Sequence, residues 1–377
     1  MRYRSIQTLR AVAALTVAAH HADLVAFDRL WFGTDIAFVI SGFVVGTIGS
    51  AQAGATFFLK RLARIVPLYA LVTLLMCAFS LVPGVFATFR FTWPELVRSL
   101  SFIPYQDVSG HLWPLFVPGW SLNFEILFYA VFALALTGRR PVIATIVLFA
   151  AAVGLGTVFA PATPAGVLLT SPMLLEFCAG LTLALLRHRL VARLGAPAGL
   201  AFMAIGAVAI ALAPEFPHAL VVGEPLWGRA LMIGGAAALM VMGALAIESA
   251  GRWPGWTRLA EAIGERGYSI YIWNWLTIAA VHKAIGFGYL SDVVALTATL
   301  AVAEVSHRYL EYTIYGWLRD RLRALKHSRT ARQPPEANAA AERDWRLASL
   351  SALPGAGQDP ALASSASPLT RRIGDRA

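Results

Sequence analysis

The sequence predicts an all-α, polytopic membrane protein with about ten transmembrane helices and both termini in the cytoplasm. Three observations lead there. The 377-residue chain is 58% hydrophobic and only 14% charged, whereas a soluble domain is about a quarter charged. Apolar runs of ~20 residues recur along nearly the whole length, each long enough to cross ~30 Å of hydrocarbon as a helix. Lys and Arg are also distributed unevenly between alternate loops, as the positive-inside rule requires.

The candidate spans are 6–26, 31–50, 66–86, 119–137, 142–160, 167–186, 195–213, 225–247, 267–286 and 290–310. With the N-terminus inside, the inner segments carry Arg2 and Arg4; Lys60, Arg61 and Arg64; Arg139 and Arg140; Arg187, Arg189 and Arg193; and Arg252, Arg258 and Arg266. The outer segments carry only Arg29, Arg90 and Arg98. A miscount by one span would scramble this asymmetry, which favours an even number. The first span follows basic residues like a signal peptide, but it contains Arg10, His20 and His21 and no small-residue cleavage site follows cleanly. It reads as a retained span.

The remaining segments organise around these spans. GATFFLKRLAR, residues 54–64, reads as an interfacial helix on the inner face. The outer segment 87–118, with Trp93, Trp113 and several prolines, reads as a loop resting at the interface. Past about 325 the composition shifts to Ala, Ser, Pro and Arg without periodicity, which is the pattern of a disordered tail. The expected domains are therefore a transmembrane part, 1–315, and a basic cytoplasmic tail, 316–377.

Composition also excludes some functions. The net charge of +10 belongs to the inner loops, because no run combines basic residues with the stacking aromatics that nucleic acid needs. Cys77 and Cys178 lie in apolar runs as small buried groups, with neither a disulfide framework nor metal-ligand spacing, so no metal is expected.

Ionisable side chains inside spans are costly and mark candidate sites. Arg10 and His21 are 11 residues apart, which is ~20° short of or beyond whole turns and ~16 Å along a helix axis. Arg10, Ala14, Val17 and His21 therefore share one stripe, while His20 faces ~100° away. Residue counting puts His21, Asp35 of the second span and Glu125 of the fourth in the outer third of the bilayer. An imidazole oriented by a carboxylate is a general-base arrangement. The same groups serve equally as an ion pair, with Arg10 as a snorkelling anchor. The basic cluster Lys60, Arg61 and Arg64, on the same side as Arg10, suits phosphate binding or anionic lipid contact. Glu176 lies mid-span, and Tyr271 and Asn274 in GYSIYIWNW read as packing or hydrogen-bonding groups.

Taken together, these segments resemble one family. SIQTLRAVAALTVAAHH followed by FGTDIAFVISGF resembles the opening of the membrane-bound acyltransferase family 3. FLKRLARIVPLY is similar to its basic segment, and PGWSLNFEILFY to its Trp-Ser-Leu-x-x-Glu-x-x-Phe-Tyr signature. LLEFCAG, IGERGYSIYIWNW and the late Tyr309–Glu311 complete the order across residues 4–315. The departures are Asn274, where the family often has His, and Gly33-Thr34-Asp35-Ile36-Ala37-Phe38 in place of Gly-Val-Asp-Phe-Phe.

The resemblance implies an Arg–His pair at Arg10 and His21, functional basic residues at Arg61 and Arg64, and importance for Trp120 and Glu125. The catalytic candidates are then His21, Glu125 and Asp35. The donor-binding candidates are Arg10, Arg61 and Arg64, and the substrate contacts are Trp120, Tyr129, Ser41 and Glu176. The implied activity is that of an O-acyltransferase, of the O-acetyltransferase type, in the bacterial inner membrane. Its acyl-CoA donor, acetyl-CoA, would enter from the cytoplasm. Its acceptor would be a glycan or lipid-linked saccharide of exopolysaccharide or O-antigen type, with membrane lipids around it. The competing reading is a glycan or lipid transporter; the inverted internal symmetry common in transporters is not seen in the sequence.

Overall fold

The computed structural model describes residues 3–22, 32–48, 53–85, 89–189, 191–216 and 226–311, together with 313, 316 and 321. Arg2, Arg29 and nearly all of the expected tail lie outside the described residues, as does residue 315 at the expected boundary. Apart from Arg321, the described residues belong to one compact unit, Met1–Asp320.

The described residues form helices and no strands. In chain order they are α1 (Arg4–His21), α2 (Gly33–Ile48), α3 (Gly54–Ser80), α4 (Trp93–Leu100), α5 (Gly119–Ala135), α6 (Pro141–Phe159), α7 (Pro164–Leu169), α8 (Leu174–Leu186), α9 (Gly195–Leu212), α10 (Trp227–Arg229), α11 (Gly235–Ser249), α12 (Arg258–Glu265), α13 (Gly267–Ile285) and α14 (Tyr289–Ser306). Among the described residues, helix lies within each of the ten expected spans, with 167–186 divided between α7 and α8. Six helical stretches are long and apolar enough to cross a membrane: Gly54–Ser80, Pro141–Phe159, Pro164–Leu186, Gly195–Leu212, Trp227–Ser249 and Tyr289–Glu311. Gly33–Thr47 and Gly119–Ala135 are apolar but shorter. Length and composition thus mark six of the ten expected crossings.

The segment 54–64 departs from expectation. It is not a separate surface helix but the first turns of the 27-residue α3. Nothing between Arg64 and Pro67 breaks the helix, and Pro67 is carried inside it. In a membrane helix the backbone group a proline frees can be satisfied locally. Lys60, Arg61 and Arg64 are therefore carried on one continuous helix, and Arg61 and Arg64 reach the interior of the bundle. The outer loop also has more structure than expected: Thr92 and Glu95 form a capping box that starts α4.

Two packing features position the rest. First, α2 lies against α8 at a distance only glycine permits. A Cβ on Gly42 would sit 2.2 Å from the Phe177 carbonyl oxygen, and one on Gly180 would sit 2.0 Å from that of Val39. Small residues of this kind set helix contact in membranes, where lipid removes the hydrophobic drive to associate. The contact brings Phe177 onto Phe38 and Phe128, with ring centroids 4.6 Å apart in each stacked pair. Second, the first turn of α1 is capped from a distant helix. Glu248 accepts the backbone N–H of Arg4 at 2.8 Å and of Ser5 at 2.9 Å, as well as the Ser5 hydroxyl. A carboxylate there satisfies orphan amides and complements the helix dipole. Arg4 also pairs with Glu261 of α12. α1 is thus held against α11 and α12, with its Arg10 stripe facing inward.

A π-helical turn, Ala230–Gly234, joins α10 to α11. Such single turns interrupt regular helices and frequently mark functional positions. This one directly follows Arg229.

Candidate functional site

Six helices converge on a cavity enclosing about 930 Å³ of empty space, its open mouth included. Helical spacing supplies its side chains in pairs, since residues three and four apart share a face. α1 gives Arg10, Ala13, Ala14 and Val17; α3 gives Arg61 and Arg64; α5 gives Glu125 and Tyr129; α13 gives Tyr268 and Tyr271. Ser41 comes from α2, and Gly264 lines the cavity from α12.

The polar groups are tightly organised. Glu125 accepts hydrogen bonds from the Ser41 hydroxyl at 3.2 Å and from the Tyr129 phenol, and the two hydroxyl oxygens are 3.1 Å apart. The Arg61 guanidinium lies 5.3 Å from the ring centroids of both Phe57 and Tyr129, within cation–π range. Tyr271 donates to the Pro118 carbonyl at 2.5 Å and is 2.7 Å from Ser121. Tyr268 donates to the Ile65 carbonyl at 2.6 Å.

Three guanidiniums therefore face one carboxylate. Among the described residues, none of Arg10, Arg61 and Arg64 takes part in a salt bridge. A concave, partly apolar site lined by surplus cations concentrates field and favours an anionic ligand. Arginine's fork of donors suits phosphate oxygens in particular.

His21 lies on the Arg10 stripe, one turn past Val17, and is not itself in the cavity lining. Its Nδ1 is 2.5 Å from Oδ1 of Asn274 on α13. His20 is adjacent, the two ring centroids being 5.6 Å apart.

The depth-matched trio of His21, Asp35 and Glu125 is not assembled. Both oxygens of Asp35 are taken by Arg229, Nε to Oδ1 at 3.1 Å and Nη2 to Oδ2 at 2.9 Å. Arg229 also donates to Thr34 Oγ1 at 3.0 Å. Side-chain exposure is 1% for Arg229 and 0% for Asp35. Asp35 is therefore one half of a buried ion pair and does not orient His21. Glu125 sits with the arginines instead, because α3 carries Arg61 and Arg64 into the bundle at its level.

Two expected substrate contacts also lie elsewhere. Trp120 is stacked over Arg229, its ring centroid 5.3 Å from the guanidinium. Glu176 is buried beside Asp35 and Arg229, its side chain against Gly234 of the π turn. Neither lines the cavity. Of the four expected substrate contacts, Ser41 and Tyr129 do.

Sequence reasoning missed Arg229. It opens an apolar run as a lone cation, and two carboxylates, Asp35 and Glu176, were already placed inside spans. Buried charges are paired, so that excess of negative charge called for a buried cation. Among the described residues no group of three His, Cys, Asp or Glu side chains could hold a metal ion.

A bundle of apolar helices around a cavity lined by surplus cations has the form of a membrane protein with a site suited to an anionic ligand. The chain belongs to acyltransferase family 3: the family's acyltransferase-domain model matches residues 3–305. It is accordingly a multi-pass membrane acyltransferase. It is similar to the exopolysaccharide production protein ExoZ of Rhizobium meliloti (strain 1021), 36% identical over 267 residues, which cover 68% of this chain and 80% of that one. No solved structure matches the chain.

Proposed function

We propose that this acyltransferase moves an acetyl group from acetyl-CoA to a hydroxyl of a glycan or lipid-linked saccharide, in the bacterial inner membrane. The observation that carries the reading is the convergence of Arg10, Arg61 and Arg64 on one cavity whose α1 wall continues to His21. With both termini cytoplasmic, the arginine end of α1 faces the cytoplasm, where acyl-CoA is made. The nucleotide phosphates meet the guanidiniums. The extended pantetheine arm is of the same order as the ~16 Å from Arg10 to His21. The acceptor enters from the opposite side, as the exopolysaccharide role in the relative's name accords with.

In this mechanism Nε2 of His21 takes the proton of the acceptor hydroxyl. The hydroxyl oxygen attacks the thioester carbonyl, the carbon–sulfur bond breaks, and the departing thiolate recovers the proton from the imidazolium. The products are the O-acetyl ester and the CoA thiol. Glu125 does not touch His21. It fixes Tyr129 beneath Arg61 and so shapes the donor end.

The test is release of free thiol from acetyl-CoA by the purified full-length chain in nanodiscs, with a saccharide extract of the native membrane as acceptor. Acetyl transfer to the saccharide supports the reading. An intact acetyl-CoA pool alongside translocated saccharide would instead mark a transporter.

A further inference from the structure

We infer that Asn274 is a positioning residue: it fixes His21 as the tautomer with its proton on Nδ1 and so leaves Nε2 free to take a proton. The inference rests on the reading of His21 as the base. It is carried by the hydrogen bonds around the Asn274 amide.

Oxygen and nitrogen of an asparagine side chain are told apart by their partners. The Asn274 nitrogen donates to two backbone carbonyls of its own helix, Tyr271 at 2.7 Å and Ile270 at 3.2 Å. A flipped amide would aim its oxygen at both of those carbonyls, acceptor against acceptor. The amide therefore has one orientation, and in it Oδ1 faces His21 Nδ1 at 2.5 Å. Oδ1 can only accept, so Nδ1 must carry a hydrogen. In a neutral imidazole the other nitrogen then has a lone pair.

Three features make the arrangement stiff. Asn274 is fully buried, at 0% exposure. Its tether is to the backbone of α13, and α13 packs directly on α1. Across the same α1–α13 interface Ala14, Ala18 and Ile270 form a small buried cluster. The amide is also neutral, so unlike a carboxylate it selects the tautomer without holding the imidazolium. That suits a base that must return its proton to the leaving thiolate in the same turnover.

Asn274→Leu and Asn274→Asp test this beside His21→Ala, in full-length protein with acetyl-CoA and the saccharide extract. Asn274→Leu loses the acceptor. The expected result is kcat lower by about 10- to 100-fold, part of the ~10²–10⁴ a general base contributes, with KM for acetyl-CoA unchanged because the donor's charges bind elsewhere. Asn274→Asp keeps an acceptor for Nδ1–H but adds charge next to the ring. It should retain more activity than Asn274→Leu, and the acid limb of its pH–rate profile should move to higher pH, since a carboxylate favours the protonated imidazole. His20, the titratable neighbour, is unchanged in every variant. A purely structural role would not move the profile of a folded Asn274→Asp protein.

Wild-type kcat in Asn274→Leu, or an Asn274→Asp profile superimposed on the wild type, would overturn the inference. Those results with an inactive His21→Ala protein would leave His21 as the base and remove only Asn274. An active His21→Ala protein would sink the base itself and the inference with it.

Discussion

The buried pair Arg229–Asp35 makes an asymmetric prediction about stability. Both side chains are essentially fully buried and joined by two short contacts. Removing one member of a buried pair strands the other charge and costs about 3–5 kcal/mol, whereas replacing both with apolar groups is often neutral. Glu176 lies beside the pair, which breaks the symmetry, because a carboxyl group can ionise to replace a lost anion but cannot replace a lost cation. Arg229→Met leaves Asp35 buried with no cation and should take the full ~3–5 kcal/mol. Asp35→Asn leaves Arg229 with Glu176 as a substitute counter-ion and should cost clearly less. The double variant Asp35→Asn/Arg229→Met should recover most of the loss of Arg229→Met alone. The assay is a double-mutant cycle on thermal unfolding of the purified protein in detergent. A loss below ~1 kcal/mol for Arg229→Met, or a double variant as unstable as the sum of the singles, would refute the reasoning.

Three further outcomes follow from the cavity. Arg64→Ala should raise KM for acetyl-CoA by about 10- to 100-fold, the value of a charge-assisted hydrogen bond of ~1.5–3 kcal/mol, with little change in kcat at saturating donor; isothermal donor titration checks it, and unchanged affinity would remove Arg64 from the donor site. Tyr129→Phe keeps the ring under Arg61 while Tyr129→Leu removes it, so Leu should weaken donor binding more than Phe; equal effects would show that the cation–π contact contributes nothing. Gly264→Ala places a Cβ 1.8 Å from the Gln7 carbonyl oxygen, which must push α12 off α1 at a cost of about 1–3 kcal/mol, read as a lower unfolding temperature.

The parts of the fold that depend on one helix at a time were legible in the sequence. Helix formed within each of the ten apolar runs, with 167–186 divided between α7 and α8, and the stripe Arg10–Ala14–Val17 does face the cavity, because 3.6-residue geometry fixes which side chains share a face. What failed was matching between helices. Residue counts placed Asp35, Glu125 and His21 at one depth, yet Asp35 met Arg229 and Glu125 met Tyr129 and Ser41. Depth sets only one coordinate, and the azimuth of each helix is decided by contacts such as Gly42 against Gly180. The segment 54–64 was misread for a related reason. Its charges resemble a surface helix, but membrane helices extend through such a segment when no breaker intervenes. Asn274 was readable as a hydrogen-bonding group, though its partner was not, since His21 lies 253 positions away.

In the proposed reaction His21, and not its neighbour, takes the proton from the acceptor. The direct measurement is polysaccharide O-acetylation in cells carrying His21→Ala or His20→Ala, with the membrane level of each protein checked by immunoblot. The account predicts that acetylation is abolished by His21→Ala and retained by His20→Ala. Full acetylation in the His21→Ala cells would contradict it.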